Sequence, residues 1–235
     1  MPLDLELNKK FVAALQKYGI DNKNLQAAII AVIYKESNYK PTSENLNYTA
    51  KRISEVWSKI PPEVAATLAN NPEKLGNYVY GNKYGNAANE GYKYRGRGLN
   101  QITFKDNYKF IGNLIGKDLV SNPDLLNQFD IAAEASAAFF KYNIDQGLKN
   151  NKFKKFNVTS LDQIKDTTTA LKIAIQTNAG LNTNFDNNIV QEGYKKALSV
   201  IEDIYKSIGS GTKKAISGGL ILVLAAGAYF LFKGK

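Results

Sequence analysis

Two carboxyl groups and one glycine-rich loop are where this chain could do chemistry. Glu36 closes an apolar stretch of helical spacing, in Tyr34-Lys35-Glu36-Ser37-Asn38. A carboxyl at such a place is partly desolvated, which raises its pKa and keeps it protonated as a proton donor. Glu44 follows across Lys40-Pro41-Thr42-Ser43. Pro41 breaks the helix, so Glu44 falls on a turn able to fold back across a cleft. Inverting glycoside hydrolysis needs two carboxyls about 6.5–9.5 Å apart, one to protonate the leaving oxygen and one to activate a water. The chain has 21 acidic residues, most of which must simply be solvated, so spacing alone leaves the role of this pair open.

The loop 91–103 reads GYKYRGRGLNQIT. Gly96 and Gly98 permit positive φ or close backbone approach. Arg95 and Arg97 can hydrogen-bond carboxylates, either buried structural ones or those of a substrate. Tyr92 and Tyr94 offer flat faces on which sugar rings can pack. The competing reading is a structural turn whose arginines pin neighbouring helices. A phosphate loop is excluded, because no Lys-Ser/Thr follows the glycines.

The elements that must position these residues read as helices. Leu7, Phe11, Val12 and Leu15 recur at helical spacing over 4–18, with Gly19 as a stop. Asp21 or Asn22 caps a second helix over 22–36, whose apolar face leads to Glu36. A short helix is expected over 49–59, and Pro61-Pro62 and Pro72 open two more. The segment 81–98 is rich in Gly, Asn and Tyr and reads as a loop with a small hairpin. Further helices are expected over 105–115, 130–143, 162–177 and 186–207. The body is therefore mainly helical with one Gly-rich loop region.

Composition removes several chemistries. The 235 residues include no His and no Cys, which excludes Ser-His-Asp triads, Cys nucleophiles, thiolate or His-ligated zinc, and disulfides. Carboxylates, Lys, Tyr and hydroxyls remain, and carboxylate pairs are the usual machinery for glycosidic bonds. No cofactor or metal is called for. The net charge of +10 suits anionic partners such as acidic wall polymers or lipid. No compact run of Lys and Arg appears, which speaks against nucleic acid.

The C-terminal stretch 215–232, AISGGLILVLAAGAYFLF, carries no charge and is flanked by Lys213, Lys214, Lys233 and Lys235. As a helix it would span about 27 Å, close to a bilayer's hydrocarbon thickness. The expected organisation is a catalytic body over 1–208, a linker over 209–214 and a single-pass membrane helix over 215–232. The alternative is a buried C-terminal helix. The N-terminus carries Asp4 and Glu6 and lacks the apolar core of a secretory signal. The expected localisation is membrane-anchored, on a bacteriophage virion membrane or the host inner membrane.

Four segments follow in order: ESNYKPTSENLNYTAKR (36–52), YGNKYGN (80–86), YRGRGLNQIT (94–103) and DLVSNPDLL (118–126). Together they resemble glycoside hydrolase family 19, the chitinase family, and in particular its bacteriophage endolysin branch. The resemblance covers about residues 10–200. It implies a mainly α, lysozyme-like, two-lobed α(+β) fold and inverting hydrolysis of β-1,4 bonds next to N-acetylated sugars. By the same resemblance Glu36 is the acid, Glu44 the second carboxylate, and Thr103 the hydroxyl holding the attacking water. Gln101 and Asn178 become sugar contacts. Tyr94 and Arg97 join them as expected substrate-binding residues of the loop. Departures are visible: Asn38 and Tyr39 replace glycines that usually follow the Glu-Ser pair, the stretch to Glu44 is one residue shorter, and Ala179 replaces the first Gly of an Asn-Gly-Gly element. The implied partners are peptidoglycan strands, a membrane through 215–232, and other virion proteins. A lytic transglycosylase, a chitinase and a non-catalytic virion protein are the competing readings.

Overall fold

The computed structural model describes residues 4–208. Nine α-helices lie among them: α1 Leu5–Lys17, α2 Lys23–Ser37, α3 Ala50–Val56, α4 Pro62–Leu68, α5 Pro72–Tyr80, α6 Lys105–Ile115, α7 Phe129–Lys149, α8 Thr167–Ala179 and α9 Asn188–Ser207. Short polar side chains start most of them. Asp4, Asn22, Thr49, Asn71, Asp166 and Asn187 each accept a backbone N–H from the first turn that no helical carbonyl can reach. Pro62 and Pro72 occupy first-turn positions where a missing N–H costs nothing.

α2 is the axis of the body. Every residue from Leu25 to Tyr34 is buried, because α1, α8 and α9 pack around it. A helix covered on all sides needs apolar residues all round, which is what Ala27 to Ile33 supply. The one polar intruder, Gln26, donates its amide to the Ile20 carbonyl at 2.8 Å. This larger core extends through Phe139 and Phe140 of α7 and Ile201 and Ile204 of α9. A second, smaller core gathers Leu46, Ile53, Ile60, Leu68, Leu75, Val79 and Phe104 under α3, α4 and α5. The two cores form two lobes, and the segments 36–48 and 94–104 run between them.

Three differences from the sequence patterning have local causes. α7 runs on to Lys149, because Gly147 lets the Phe153 ring lie against the helix; a Cβ there would stand 2.4 Å from that ring. α8 begins at Thr167, where Asp166 supplies the cap, and only a 3-10 turn at Leu161–Gln163 precedes it. No local hairpin forms in 81–98. Instead β1 Thr42–Ser43 pairs antiparallel with β2 Arg97–Gly98, Thr42 facing Gly98 and Ser43 facing Arg97.

The mainly helical body stands, but its expected membrane appendage is corrected. Among the described residues no helix is long and apolar enough to cross a membrane. The linker 209–214 and the span 215–232 lie outside the described residues. The described fold is the helical body, and none of its helices supports the expected membrane-anchored localisation.

Candidate active site

Glu36 sits in the last turn of α2, beside the point where the chain leaves the helix. Asn38 ends the helix in the left-handed conformation (φ 51°), its N–H donating to the Tyr34 carbonyl at 2.8 Å. Tyr39 also has positive φ (58°). The two residues that replace glycines thus keep a glycine-like backbone. For a bulky residue such as Tyr this is strained. Tyr39 is held there because its ring is buried and its hydroxyl donates to Asn8 Oδ1 on α1. The reversal turns the chain from α2 toward β1.

The Glu36 carboxyl makes no hydrogen bond or ion pair among the described residues. Its surface is open to water, yet the surrounding protein is dense enough that burial raises its pKa, while Lys196 on α9 pulls in the opposite direction. Accessible surface together with partial desolvation is the condition of a group on the floor of a groove. The carbonyl end of α2 also disfavours a negative charge in its last turn.

Glu44 is half-buried and held from two sides. The Tyr80 hydroxyl at the end of α5 donates to Glu44 Oε1 at 2.8 Å, and the Gly96 N–H donates to Oε2 at 3.3 Å. The Glu44 N–H in turn donates to the Gly96 carbonyl at 2.7 Å, which continues the β1–β2 pairing. Burial raises the Glu44 pKa; the Tyr80 and Gly96 hydrogen bonds and the charge of Arg95 counter it. Different groups surround the two carboxyls, Lys196 at Glu36 and Tyr80, Gly96 and Arg95 at Glu44.

Gln101 lies against Glu44's support. Its amide nitrogen donates to the carbonyls of Thr42 (3.1 Å) and Gly98 (3.0 Å), tying the two short strands together. Its carbonyl oxygen faces Gly96, where an added Cβ would stand at 2.8 Å. Gln101 takes positive φ (51°), as does Gly98 (78°). Thr103 is 1% exposed and donates its hydroxyl to the Gln101 carbonyl at 3.0 Å. Asn178, at the end of α8, accepts from the Asn100 amide at 3.3 Å, which brings α8 to the same loop. The other Asn100 amide atom, Oδ1, is buried with no partner.

Tyr94 and Arg97 point the other way and are corrected as substrate contacts. Tyr94 is 0% exposed; its ring packs 5.4 Å from Tyr108 and its hydroxyl donates to the Val120 carbonyl. Arg97 is 3% exposed. It donates to Asp124 Oδ1 (2.7 Å), the Lys93 carbonyl (2.6 Å) and the Tyr108 hydroxyl (3.0 Å). Both are parts of the loop's inner frame, and no ring face or guanidinium edge is left for a ligand. Tyr80, Asn100 and Lys196 belong beside the site although residue types alone do not single them out. Tyr80 opens the YGNKYGN segment, which was the available signal; for Lys196, placed by α9 packing on α2, there was none. Among the described residues no cluster of acidic side chains could hold a metal ion.

Residues 65–187 match the family model for glycoside hydrolase family 19, chitinase class I. A glycosyl hydrolase family 19 domain-containing protein of Haemophilus influenzae is 34% identical over 135 residues, covering 55% of this chain and 67% of that one. Chitinase 11 of rice, Oryza sativa subsp. japonica, is 45% identical over 47 residues, 20% of this chain and 18% of the rice chain. The protein is thus a glycoside hydrolase of the class that acts on chitin- and peptidoglycan-type β-1,4 bonds. The chain belongs to glycoside hydrolase family 19. Its mainly helical, two-lobed body is consistent with the lysozyme-like fold of that family. The family-model match takes in Gln101, Thr103 and Asn178 and begins downstream of Glu36 and Glu44.

Proposed function

We propose that this protein hydrolyses the β-1,4 bonds of bacterial cell-wall glycan, with Glu36 as proton donor and Glu44 as the base that activates water. The observation that carries the reading is the contrast between the two carboxyls. Glu36 is free of hydrogen bonds and has a raised pKa, which suits a group that must hold and then release a proton. Burial raises the Glu44 pKa as well, but Glu44 accepts two hydrogen bonds, which favour its charged form and fix its direction. In the reaction Glu36 gives its proton to the glycosidic oxygen as the bond to the anomeric carbon breaks. Glu44 takes a proton from the water that attacks the opposite face. Thr103 supports that water through its lone pairs, and Gln101 and Asn178 border the sugars. The net charge of +10 favours peptidoglycan, whose strands and attached polymers are anionic, over neutral chitin. The resemblance of the 36–52 segment to the endolysin branch supports reading the protein as a lysin of bacteriophage type.

Mass spectrometry of digested wall tests the chemistry. Hydrolysis yields reducing ends carrying one added water. A lytic transglycosylase yields anhydro ends and needs one carboxyl only. Glu44→Gln separates the two: hydrolysis is expected to fall by about two orders of magnitude or more, and survival of activity with anhydro products would replace the hydrolase by the transglycosylase.

The roles also set the pH profile. Glu44 must be ionised, so activity is lost as pH falls through its raised pKa. Glu36 must be protonated, so activity is lost as pH rises through its own. Tyr80→Phe removes a hydrogen bond that lowers the Glu44 pKa. The acidic limb of kcat/KM should then move to higher pH while the alkaline limb stays in place. Movement of the alkaline limb instead would mean that Glu44 is not the base.

A further inference from the structure

Many large aromatic side chains among the described residues are spent in the interior; Phe11, Tyr94, Tyr108, Phe140 and Phe153 are fully buried. Tyr48 and Trp57 differ. Both are half-exposed, at the edge of the small core that includes Leu46 and Ile53. Their ring centroids are 5.7 Å apart at an interplanar angle of 50°, so they form a shallow V and not a flat stack. The backbone beneath both rings is tied down. The Tyr48 carbonyl accepts from Asn70 N–H at 2.8 Å, the Trp57 N–H donates to Ile53, and the Trp57 carbonyl accepts from Ile60, each at 2.8 Å.

We infer that Tyr48 and Trp57 form a sugar-binding platform that extends the cleft beyond Glu44 and takes one N-acetylated hexose ring of the glycan strand. The inference rests on the reading of Glu44 as a wall of that cleft. Three observations carry it. Tyr48 follows Glu44 by four residues through a tight turn closed by Tyr48 N–H to the Leu46 carbonyl at 3.0 Å. Among the described residues, neither the Tyr48 hydroxyl nor the Trp57 indole N–H has a hydrogen-bond partner. The exposed residues of the connecting turn, Asn45, Asn47 and Thr49, are polar and uncharged, which suits hydroxyl and acetamido groups. The electrostatics agree: after burial, the Glu44 charge raises the Tyr48 pKa further and the Arg52 charge lowers it, so the hydroxyl is within electrostatic reach of Glu44 and Arg52. Amphipathic rings with one wet polar edge are suited to a ligand that is apolar on its ring face and polar at its rim. Rings fixed before binding lose little freedom when a sugar arrives.

Trp57 is the one tryptophan of the chain, so its emission reports on this platform alone. Full-length Glu36→Gln protein is titrated with N-acetylglucosamine tetramer and hexamer, following tryptophan emission and, in parallel, heat. A saturable change in emission with the calorimetric affinity is expected. On soluble polymer, Tyr48→Phe in the otherwise native chain should raise KM about threefold and Trp57→Ala about tenfold, with kcat kept, the pattern of lost uniform binding. Tyr48→Phe keeps the ring and so reads the hydroxyl without disturbing the small core. Heat of binding without an emission change, no binding at all, or unchanged KM in Tyr48→Phe would each overturn the platform. Continued oligomer cleavage by Glu36→Gln would instead count against the assignment of Glu36, whatever the emission shows.

Discussion

Glu36→Gln should leave the protein folded and lower its hydrolysis of wall glycan by about 10²- to 10⁴-fold. The side chain keeps its shape and loses only its proton. Its carboxyl makes no hydrogen bond or ion pair among the described residues, so no structural partner is abandoned. The helix end beside it is secured by other groups: the Asn38 N–H on the Tyr34 carbonyl, and the Ser37 hydroxyl on the Ile33 carbonyl at 2.9 Å. Replacing a carboxyl by an amide at the carbonyl end of α2 removes an unfavourable charge–dipole contact, so stability should hold or rise slightly. The leaving oxygen of a glycosidic bond is poor without protonation, and no imidazole exists in the chain to substitute. Zymography on cell-wall gels and thermal melting, performed on the same preparations, check both halves. Equal clearing by native and substituted protein, with equal melting temperatures, would remove Glu36 from the mechanism.

Arg97→Met should cost about 1–3 kcal/mol of folding stability, the range for leaving a buried hydrogen-bonding group without its partner. The guanidinium is 3% exposed and joins three parts of the chain: Asp124, the Lys93 carbonyl and the Tyr108 hydroxyl. Methionine refills much of the volume but leaves the Lys93 carbonyl without this donor. Tyr108 retains one bond, its hydroxyl donating to the Arg95 carbonyl at 2.7 Å, and Asp124 is exposed enough for water to serve it. Arg97→Lys should not rescue, because an ammonium cannot present a planar fork to three separated acceptors. Activity should fall with stability, since Arg97 belongs to β2, and β2 positions Glu44 through the pairing with β1. Denaturant unfolding checks the first effect; a loss under about 1 kcal/mol, typical of surface pairs, would show the frame to be dispensable.

Much of the fold is legible in the chain because helix formation is local. The caps Asp4, Asn22 and Thr49, the prolines at 62 and 72 and the apolar spacing in α1 and α2 lie within a turn or two of the elements they define. The end of α7 is not legible that way. Gly147 reads as a weak helical position until Phe153 is seen to need the space above it. The β1–β2 pair is equally hidden, as two residues at 42–43 meet two at 97–98 with no turn between them to announce the match.

The site divides along the same line. The order of the motifs resembles glycoside hydrolase family 19, to which the chain belongs, and the absence of His and Cys leaves carboxyls as the candidate chemistry. The facing of each side chain is decided by packing. In 91–103 the aromatic and basic residues look alike as ligands for sugar. Only the approach of α6 turns Tyr94 inward against Tyr108 and locks Arg97 behind it, while Tyr92 stays half-exposed with Arg95 stacked 4.0 Å over its ring. Tyr80 and Gly96 reach Glu44 from 36 and 52 residues away in sequence. Residue chemistry is carried by each position alone, whereas burial, direction and partnership depend on what the rest of the chain brings alongside, and distance along the sequence holds no record of that.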